Sequence, residues 1–328
     1  MKVLLTGASG LVGSHVLDHL VQAGVPVRLL LRRSSPRQWV AAHLPKVEVH
    51  EGALDAPETL GAALEGITHV IHCAGATKAL DREGYFRVNH AGTLNLVAAI
   101  NRQASQVQRL VHVSSLAVTG PATAARPARE TDPPRPLTDY GQSKLAAEQV
   151  VREQCRVPAV ILRPPGVYGP RDGEFFKLFK AVQRGLLPCF GGGRQQLSLV
   201  YAPDLAAAIV HCLTQEGAVG QVFHVAHPEV VSARQLGEMA ARCLQVKPVP
   251  LVLPTAALWP VCMVQEIISQ VTRRPHVVNL QKYRELAAPG WVCDVSRLRE
   301  LTGFSAPTSV QEGVPATLEW YRQAGWLK

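Results

Sequence analysis

The sequence predicts an α/β protein built on a doubly wound parallel sheet, and three observations carry that prediction. The first thirteen residues run from an apolar strand, Lys2 to Thr6, through the glycine turn Gly7-Ala8-Ser9-Gly10-Leu11-Val12-Gly13 into a helix. Short apolar segments then alternate with helical stretches as far as Leu162, the pattern of successive strand–helix–strand units. Residues suited to ligand contact collect where those segments end, at the edge where open α/β sheets bind ligands.

The first helix is expected from Leu11 to about Ala23, because Leu11, Val12, Val16, Leu17, Leu20 and Val21 recur at three- and four-residue steps. Gly7 permits the tight turn, Gly10 lets backbone approach a pyrophosphate, and Gly13 brings helix close to strand. With Ser9, Leu11 and Val12 they form the expected phosphate cradle, at a helix end that offers free N–H groups and a positive dipole. Val25 to Leu31 closes the unit, which reads as a dinucleotide-binding Rossmann motif. Arg32 and Arg33 follow, where an NAD-binding unit carries an acid for the ribose 2′-hydroxyl. A guanidinium there pairs with a 2′-phosphate, so NADP(H) is favoured, with NAD(H) as the alternative. A solvated arginine pair at a strand end is the competing account.

The spacing G-x-x-G-x-x-G resembles the short-chain dehydrogenase/reductase superfamily, and specifically its extended branch, which includes the NAD-dependent epimerases and dehydratases. Val47 to His50 is the third strand. The turn Gly52-Ala53-Leu54-Asp55 is similar to the family's G-D-L-x-D, with Ala53 where relatives carry an adenine-binding Asp, so adenine is expected on backbone near Leu54. Asp55 is read as a turn or cap residue before a helix from Pro57 to Leu64. His69 to His72 forms strand four, and Cys73-Ala74-Gly75-Ala76 resembles the family's cofactor-lining H-x-A-A/G segment. His72 is expected to be a partly buried histidine satisfied by backbone, and Thr77 and Lys78 are candidate substrate contacts. A long helix, Tyr85 to Asn101, holds Asn89 in what looks like the family's N-x-x-G-T element, where the matching Asn orders the active site through the backbone.

Arg109 to Val113, strand five, delivers Ser114-Ser115, and counting back from Gly120 the resemblance assigns the catalytic hydroxyl to Ser115. A helix starting at Asp139, capped by Thr138 or Asp139, places Tyr140 and Lys144 four residues apart on one face. A free tyrosine ionises near pH 10, too high for a base at neutrality, and a neighbouring ammonium is expected to lower it. The resemblance then implies that Tyr140 exchanges a proton with a substrate oxygen, Ser115 hydrogen-bonds that oxygen, and Lys144 also holds the nicotinamide ribose.

After strand six, Ala159 to Leu162, the segment Arg163-Pro164-Pro165-Gly166-Val167-Tyr168-Gly169-Pro170 resembles the extended branch's R-P-x-x-V-Y-G-P. It brings Pro164, Gly166 and Val167 past the nicotinamide. In register with Asp204, Leu197 replaces the Arg that serves a diphosphate in sugar-nucleotide enzymes, although Arg194 or Arg171 could substitute. That departure favours an apolar ketone or secondary alcohol and a likeness to 3β-hydroxysteroid dehydrogenase and dihydroflavonol reductase relatives. Further helices are expected over Glu174 to Gly185 and Ser232 to Cys243, strands over Leu197 to Tyr201 and Gln221 to Val225, and a late helix over Thr317 to Trp326.

The resemblance implies about seven mostly parallel strands and a smaller interleaved C-terminal substrate domain, with residues 1–165 and 195–226 binding the dinucleotide and 166–194 and 227–328 the substrate. It also implies a homodimer. The leading activity is reversible NADP(H)-linked ketone reduction. The rivals are an epimerase or dehydratase with permanently bound NAD, and a non-catalytic dinucleotide-binding subunit or sensor. With 47% hydrophobic and 18% charged residues the composition is that of a globular protein, and the net charge of +9 is scattered rather than run together, so no nucleic-acid partner is expected. Seven cysteines without C-x-x-C and no leader before the first strand favour the cytoplasm, and no metal site is expected. Val249 to Ile268 is the longest apolar stretch; three prolines, Gln265 and Glu266 argue against a spanning helix, and core packing is preferred over a substrate lid or a surface-lying helix.

Overall fold

The apolar run at the N-terminus has no polar face, and the fold buries it on both sides. In the computed structural model, which describes residues 1–272 and 280–327, Val3–Thr6 (β1) is wholly buried. Val3 and Leu5 join one apolar core and Leu4 the other, as side-chain alternation along a strand requires. The next strands are Val27–Leu31 (β2), Glu48–Glu51 (β3), His69–His72 (β4), Arg109–Val113 (β5) and Ala159–Arg163 (β6). Later come Gly166–Tyr168 (β7), Leu186–Phe190 (β8), Gln196–Tyr201 (β9), Val222–His224 (β10), Val230–Ser232 (β11), Val249–Leu253 (β12) and Gly290–Trp291 (β13).

The main sheet has seven parallel strands in the order β3-β2-β1-β4-β5-β6-β10. Winding reverses between β1 and β4, so the crevice outside their carboxyl ends is the expected ligand position. Helices Leu11–Gln22 (α1), Leu60–Leu64 (α2), Arg82–Phe86 (α3), Gly92–Arg102 (α4) and Asp139–Gln154 (α5) belong to the first half of the chain. Glu174–Gln183 (α6), Ala202–His211 (α7), Ala233–Cys243 (α8), Leu258–Thr272 (α9), Leu280–Ala287 (α10), Ser296–Thr302 (α11) and Val310–Gln323 (α12) follow. The core on one face of the sheet draws on α1 and α7, and that on the other on α2, α4 and α5.

A second layer is built on β9, which pairs with β7, β11 and β13, while β8 and β12 form a separate parallel ribbon. Helices α6, α8 and α12 share its core around Tyr168, Phe179, Leu236, Leu318 and Tyr321. Residues 273–279 and 328, inside the expected second unit, lie outside the described residues.

Three local expectations are corrected. The helix expected over 85–101 is two helices, α3 and α4, joined by a wide π turn over Arg87–Ala91 that carries buried Asn89. Of the two readings of Asp55 the cap is corrected and the turn holds: it lies in the turn at 54–55, and the following 3₁₀ segment starts after Ala56 without a side-chain cap. The stretch 249–268 does not pack in the core: α9 buries Leu258 and Cys262, while Val252 is 58% exposed and Val264 55%. The reason is topological, since among the described residues β12 has a single neighbouring strand, β8. No helix among the described residues is long and apolar enough to cross a membrane.

Candidate active site

At the sheet's switch point lies a cleft of about 220 Å³ lined by Gly7, Ser9, Gly10, Arg32, Leu54, Ala74 and Gly75, all singled out from sequence. Local sterics explain its glycines. A Cβ on Gly13 would come 2.2 Å from the Gly7 carbonyl oxygen, and one on Gly7 2.6 Å from the Ala74 nitrogen, so these two weld α1 to β1 and β4. Gly10 differs: it is exposed, and a Cβ there would meet only Gly7 O at 3.4 Å, which leaves the cleft floor open for a ligand. No side chain caps α1, so its first N–H groups are left to an anion. A dinucleotide pyrophosphate fits this cradle. Gly13 acts by packing, and Leu11 and Val12 belong to the helix's first turn without lining the cleft.

The two arginines separate. Arg33 turns away to an ion pair with Glu51, whereas Arg32 is exposed on the cleft and its backbone N–H is fixed by the Ser35 hydroxyl at 3.2 Å. Ser35 and Arg87 also line the cleft and were missed from sequence. Arg87 is delivered by the π turn, a feature with no periodicity signal, so only the fold reveals it.

Beyond β5 stand the residues expected to carry chemistry. Ser115 caps a 3₁₀ turn, its Oγ accepting from Ala117 N–H at 3.2 Å, and its hydroxyl stands close enough to Tyr140 to act on that phenol. Thr138, not Asp139, caps α5, accepting from Gly141 N–H at 3.1 Å. Lys144 is buried one turn on, its Nζ donating to the Val113 carbonyl at 2.7 Å. Burial pushes the Tyr140 phenol up to about 12, with the Ser115 hydroxyl opposing and the Glu285 carboxylate adding to the rise. The expected lowering by Lys144 does not offset burial: its ammonium donates to the Val113 carbonyl, and burial pulls Lys144 itself down to about 8.

A buried polar chain supports this arrangement. Asn89 accepts from Ala76 N–H at 2.7 Å, donates to the Ala76 carbonyl at 3.1 Å, and donates to Ser143 Oγ at 2.9 Å. Ser143 in turn donates to the Tyr140 carbonyl at 2.7 Å, so Asn89 joins the β4 exit to the Tyr140 turn through its side chain. His72 is fully buried and satisfied by side chains, not backbone: Nδ1 meets Thr6 Oγ1 at 2.8 Å and Nε2 meets Thr93 Oγ1 at 2.9 Å. Thr93 donates onward to Asn89 O at 2.6 Å, which makes Nε2 the protonated nitrogen of His72. Ser114 faces away from the Tyr140 hydroxyl, donating to Glu148 at 2.5 Å, and Glu148 holds Arg163 at 2.6 Å in a buried pair. Pro164 accepts from Leu116 N–H at 2.8 Å, tying the R-P-x-x-V-Y-G-P segment beside Ser115, with Gly166 and Val167 following in β7.

The candidate substrate contacts scatter. Thr77 is exposed, and Lys78 is exposed and ion-paired with Glu174 at 2.6 Å. Arg171 is ion-paired with Asp18 at 2.8 Å and lies 5.7 Å from the Trp39 ring centroid. Leu197 packs in the second core. A separate cavity of about 410 Å³ is lined by Gly192, Gly193, Arg194 and Arg234, and contains none of Ser115, Tyr140 or Lys144. No group of three or more potential metal ligands occurs among the described residues.

A doubly wound sheet with this cradle and this Ser-Tyr-Lys cluster defines an enzyme of the short-chain dehydrogenase/reductase class that works with a nicotinamide dinucleotide. Residues 3–226 match the NAD dependent epimerase/dehydratase family, and the chain belongs to it. It is similar to the ceramide reductase of Caulobacter vibrioides, 31% identical over 99% of this chain and 96% of that protein. Similarity also extends to the UDP-glucose 4-epimerase of Vibrio cholerae, 28% identical over 98% of this chain and 96% of that protein. Among solved structures, the Bordetella bronchiseptica enzyme WbmG in complex with NAD superposes with a TM-score of 0.79 at 25% identity, covering 100% of this chain and 96% of that one. Relatives thus include both reductases and epimerases.

Proposed function

We propose that the protein is a reductase that uses NADP(H) to reduce an apolar, lipid-like ketone to a secondary alcohol, reversibly. The observation that carries it is the convergence of Ser115, Tyr140 and buried Lys144 at the sheet edge next to the dinucleotide cleft. When bound, the nicotinamide dinucleotide supplies or accepts the hydride. Tyr140 gives its hydroxyl proton to the oxygen that becomes the alcohol. Ser115, whose oxygen accepts from Ala117 N–H, presents its hydroxyl hydrogen beside Tyr140, where it would stabilise that oxygen. With Tyr140 held near 12, the phenol is fully protonated at neutral pH, which suits a proton donor in reduction. Lys144, lowered to about 8 by burial, is still mainly an ammonium at neutral pH, held on the Val113 carbonyl one helical turn from Tyr140, where it would meet the nicotinamide ribose.

Arg32 supports NADP(H), being exposed on the cleft with no acid in its place. Leu197, partly buried against the second core in the register position of a diphosphate partner, and the similarity to a ceramide reductase support an apolar substrate. The second reading, an epimerase with retained NAD, is favoured by the Arg194 cavity and by the epimerase relatives.

Titration with NADPH and NADH, after testing the preparation for copurified cofactor, separates the two. Reversible binding with NADPH tighter than NADH, followed by net NADPH consumption with long-chain ketones, is the expected result. Copurified, non-exchanging NAD with turnover that consumes no NADPH overturns the reductase reading.

A further inference from the structure

Helix α9 reverses the usual order of a surface helix. Its polar residues Gln265 and Glu266 are half-buried, while Trp259, Val261, Val264, Ile267 and Ile268 face outward, between 39% and 55% exposed. The same surface continues into the ribbon: Val249 is 66% exposed, Leu251 44%, and Leu186, the register partner of Val249 on β8, 48%. Single exposed apolar side chains are ordinary, but a continuous strand–turn–helix face of them marks an interaction surface.

We propose that this face docks on a phospholipid bilayer bearing anionic headgroups, with α9 lying in the interface. Charge selects that occupant. Arg184 and Lys247 are exposed at the end of the ribbon next to Leu186 and Val249, and Arg284 is exposed on α10, which packs against α9. None of the three has an ion-pair partner among the described residues. Within 247–268 the only acid is Glu266, half-buried, and the whole chain carries +9. An apolar face rimmed by unpaired cations matches an anionic lipid surface. Length sets the mode of contact: 15 residues extend about 22 Å, short of the ~30 Å hydrocarbon core, so α9 lies on the bilayer and does not cross it.

The face also adjoins the site. Gln281 of α10 accepts from Asp139 N–H at 2.7 Å and donates to its carboxylate at 2.8 Å, at the head of the helix that carries Tyr140. Glu285 of α10 and Glu266 of α9 both act electrostatically on Tyr85, whose ring lies 6.1 Å from that of Tyr140. A docked α9–α10 pair would open the site toward the bilayer, where an apolar ketone partitions. That last step rests on the reductase reading; the docking does not.

Cosedimentation of the full chain with phosphatidylcholine vesicles, with and without about one-third phosphatidylglycerol, tests the proposal. Binding should favour the anionic vesicles and weaken severalfold in about 1 M salt, where screening falls to ~3 Å. The triple variant W259S/V264S/I267S should bind roughly tenfold less or weaker still, with unchanged dinucleotide affinity and melting temperature. R184E/K247E should lose the preference for anionic vesicles alone. No binding of the wild-type chain at millimolar lipid, or wild-type binding by the triple variant, overturns the proposal. So does a dimer that the triple variant converts to monomer, since the face then belongs to a second copy. Failure of the NADPH titration leaves these outcomes unaffected, and loss of vesicle binding leaves that titration intact.

Discussion

Lys144 shows how function and stability diverge at one residue. Burial lowers its ammonium from 10.5 to about 8, so between those values the folded chain has released a proton that the unfolded chain still holds. Stability therefore rises with pH through that window, and below about 8 the buried charge costs on the order of 3 kcal/mol. Lys144→Met should be more stable than wild type at pH 7 by about 2 kcal/mol, after about 1 kcal/mol for the lost Val113 bond, and should show no rise between pH 8 and 10.5. Urea denaturation at several pH values reads both effects. Tyr140→Phe should lower kcat by roughly 10²–10⁴-fold while NADPH affinity changes less than about twofold, because the proton leaves and the cradle stays. A Tyr140→Phe enzyme with full turnover would remove Tyr140 from the reaction. Order and spacing in the sequence pointed to Ser115, Tyr140 and Lys144, but their proton affinities follow from burial and from Val113, which spacing does not reveal.

Among the elements, β1 and α1 are joined so closely that Gly13 has no room for a methyl group. Gly13→Ala should destabilise the protein by about 1–3 kcal/mol and weaken dinucleotide binding at least tenfold, measured by thermal unfolding and titration. Helix α5 and strand β6 meet through Glu148 and Arg163, both buried. Glu148→Gln leaves the guanidinium without its counter-charge and should cost about 3–5 kcal/mol. Glu148→Leu combined with Arg163→Met should cost less than Glu148→Gln alone, since no buried charge is stranded. Strands β1, β2 and β6 were legible because a parallel sheet buries both faces and leaves apolar runs, whereas β3, Glu48–Glu51, is an exposed edge strand placed from the order of the units. The π turn was not, since its wide turn keeps helical composition while shifting the phase that aims Asn89 and Arg87.

For the whole molecule, buried histidines set the acid limit. Burial holds His72 at about 3, His224 at about 4 and His112 well below its usual value, so the unfolded chain takes up protons below about 6.5 that the folded chain refuses. Stability should fall as pH drops from 6.5 toward 4. Asp172 acts in the opposite sense: burial raises it to about 6, so between 6 and its ordinary 3.8 the folded form binds the extra proton and gains stability as pH falls. Burial lowers His15 and His69 as well and raises Glu130 and Asp204 beside Asp172, so five histidines against three carboxyls leave a net loss, and a series of melting temperatures from pH 7 to 4 should decline accordingly. A flat or rising series would contradict the burial of these rings.

The class of fold, the dinucleotide turn and the order of the reacting residues were written locally, because glycine placement, strand hydrophobicity and i, i+4 spacing act over a few residues. Four features depended on the assembled molecule: which arginine faces the cleft, how His72 is satisfied, where Arg171 is held, and that 249–268 turns its apolar side outward. Each depends on partners far away in the chain, such as Glu51 for Arg33, Thr6 and Thr93 for His72, and Asp18 for Arg171. Hydrophobicity alone says that a segment avoids water; whether core or another surface answers that demand is set by which neighbours the topology supplies, and among the described residues β12 is supplied with only β8.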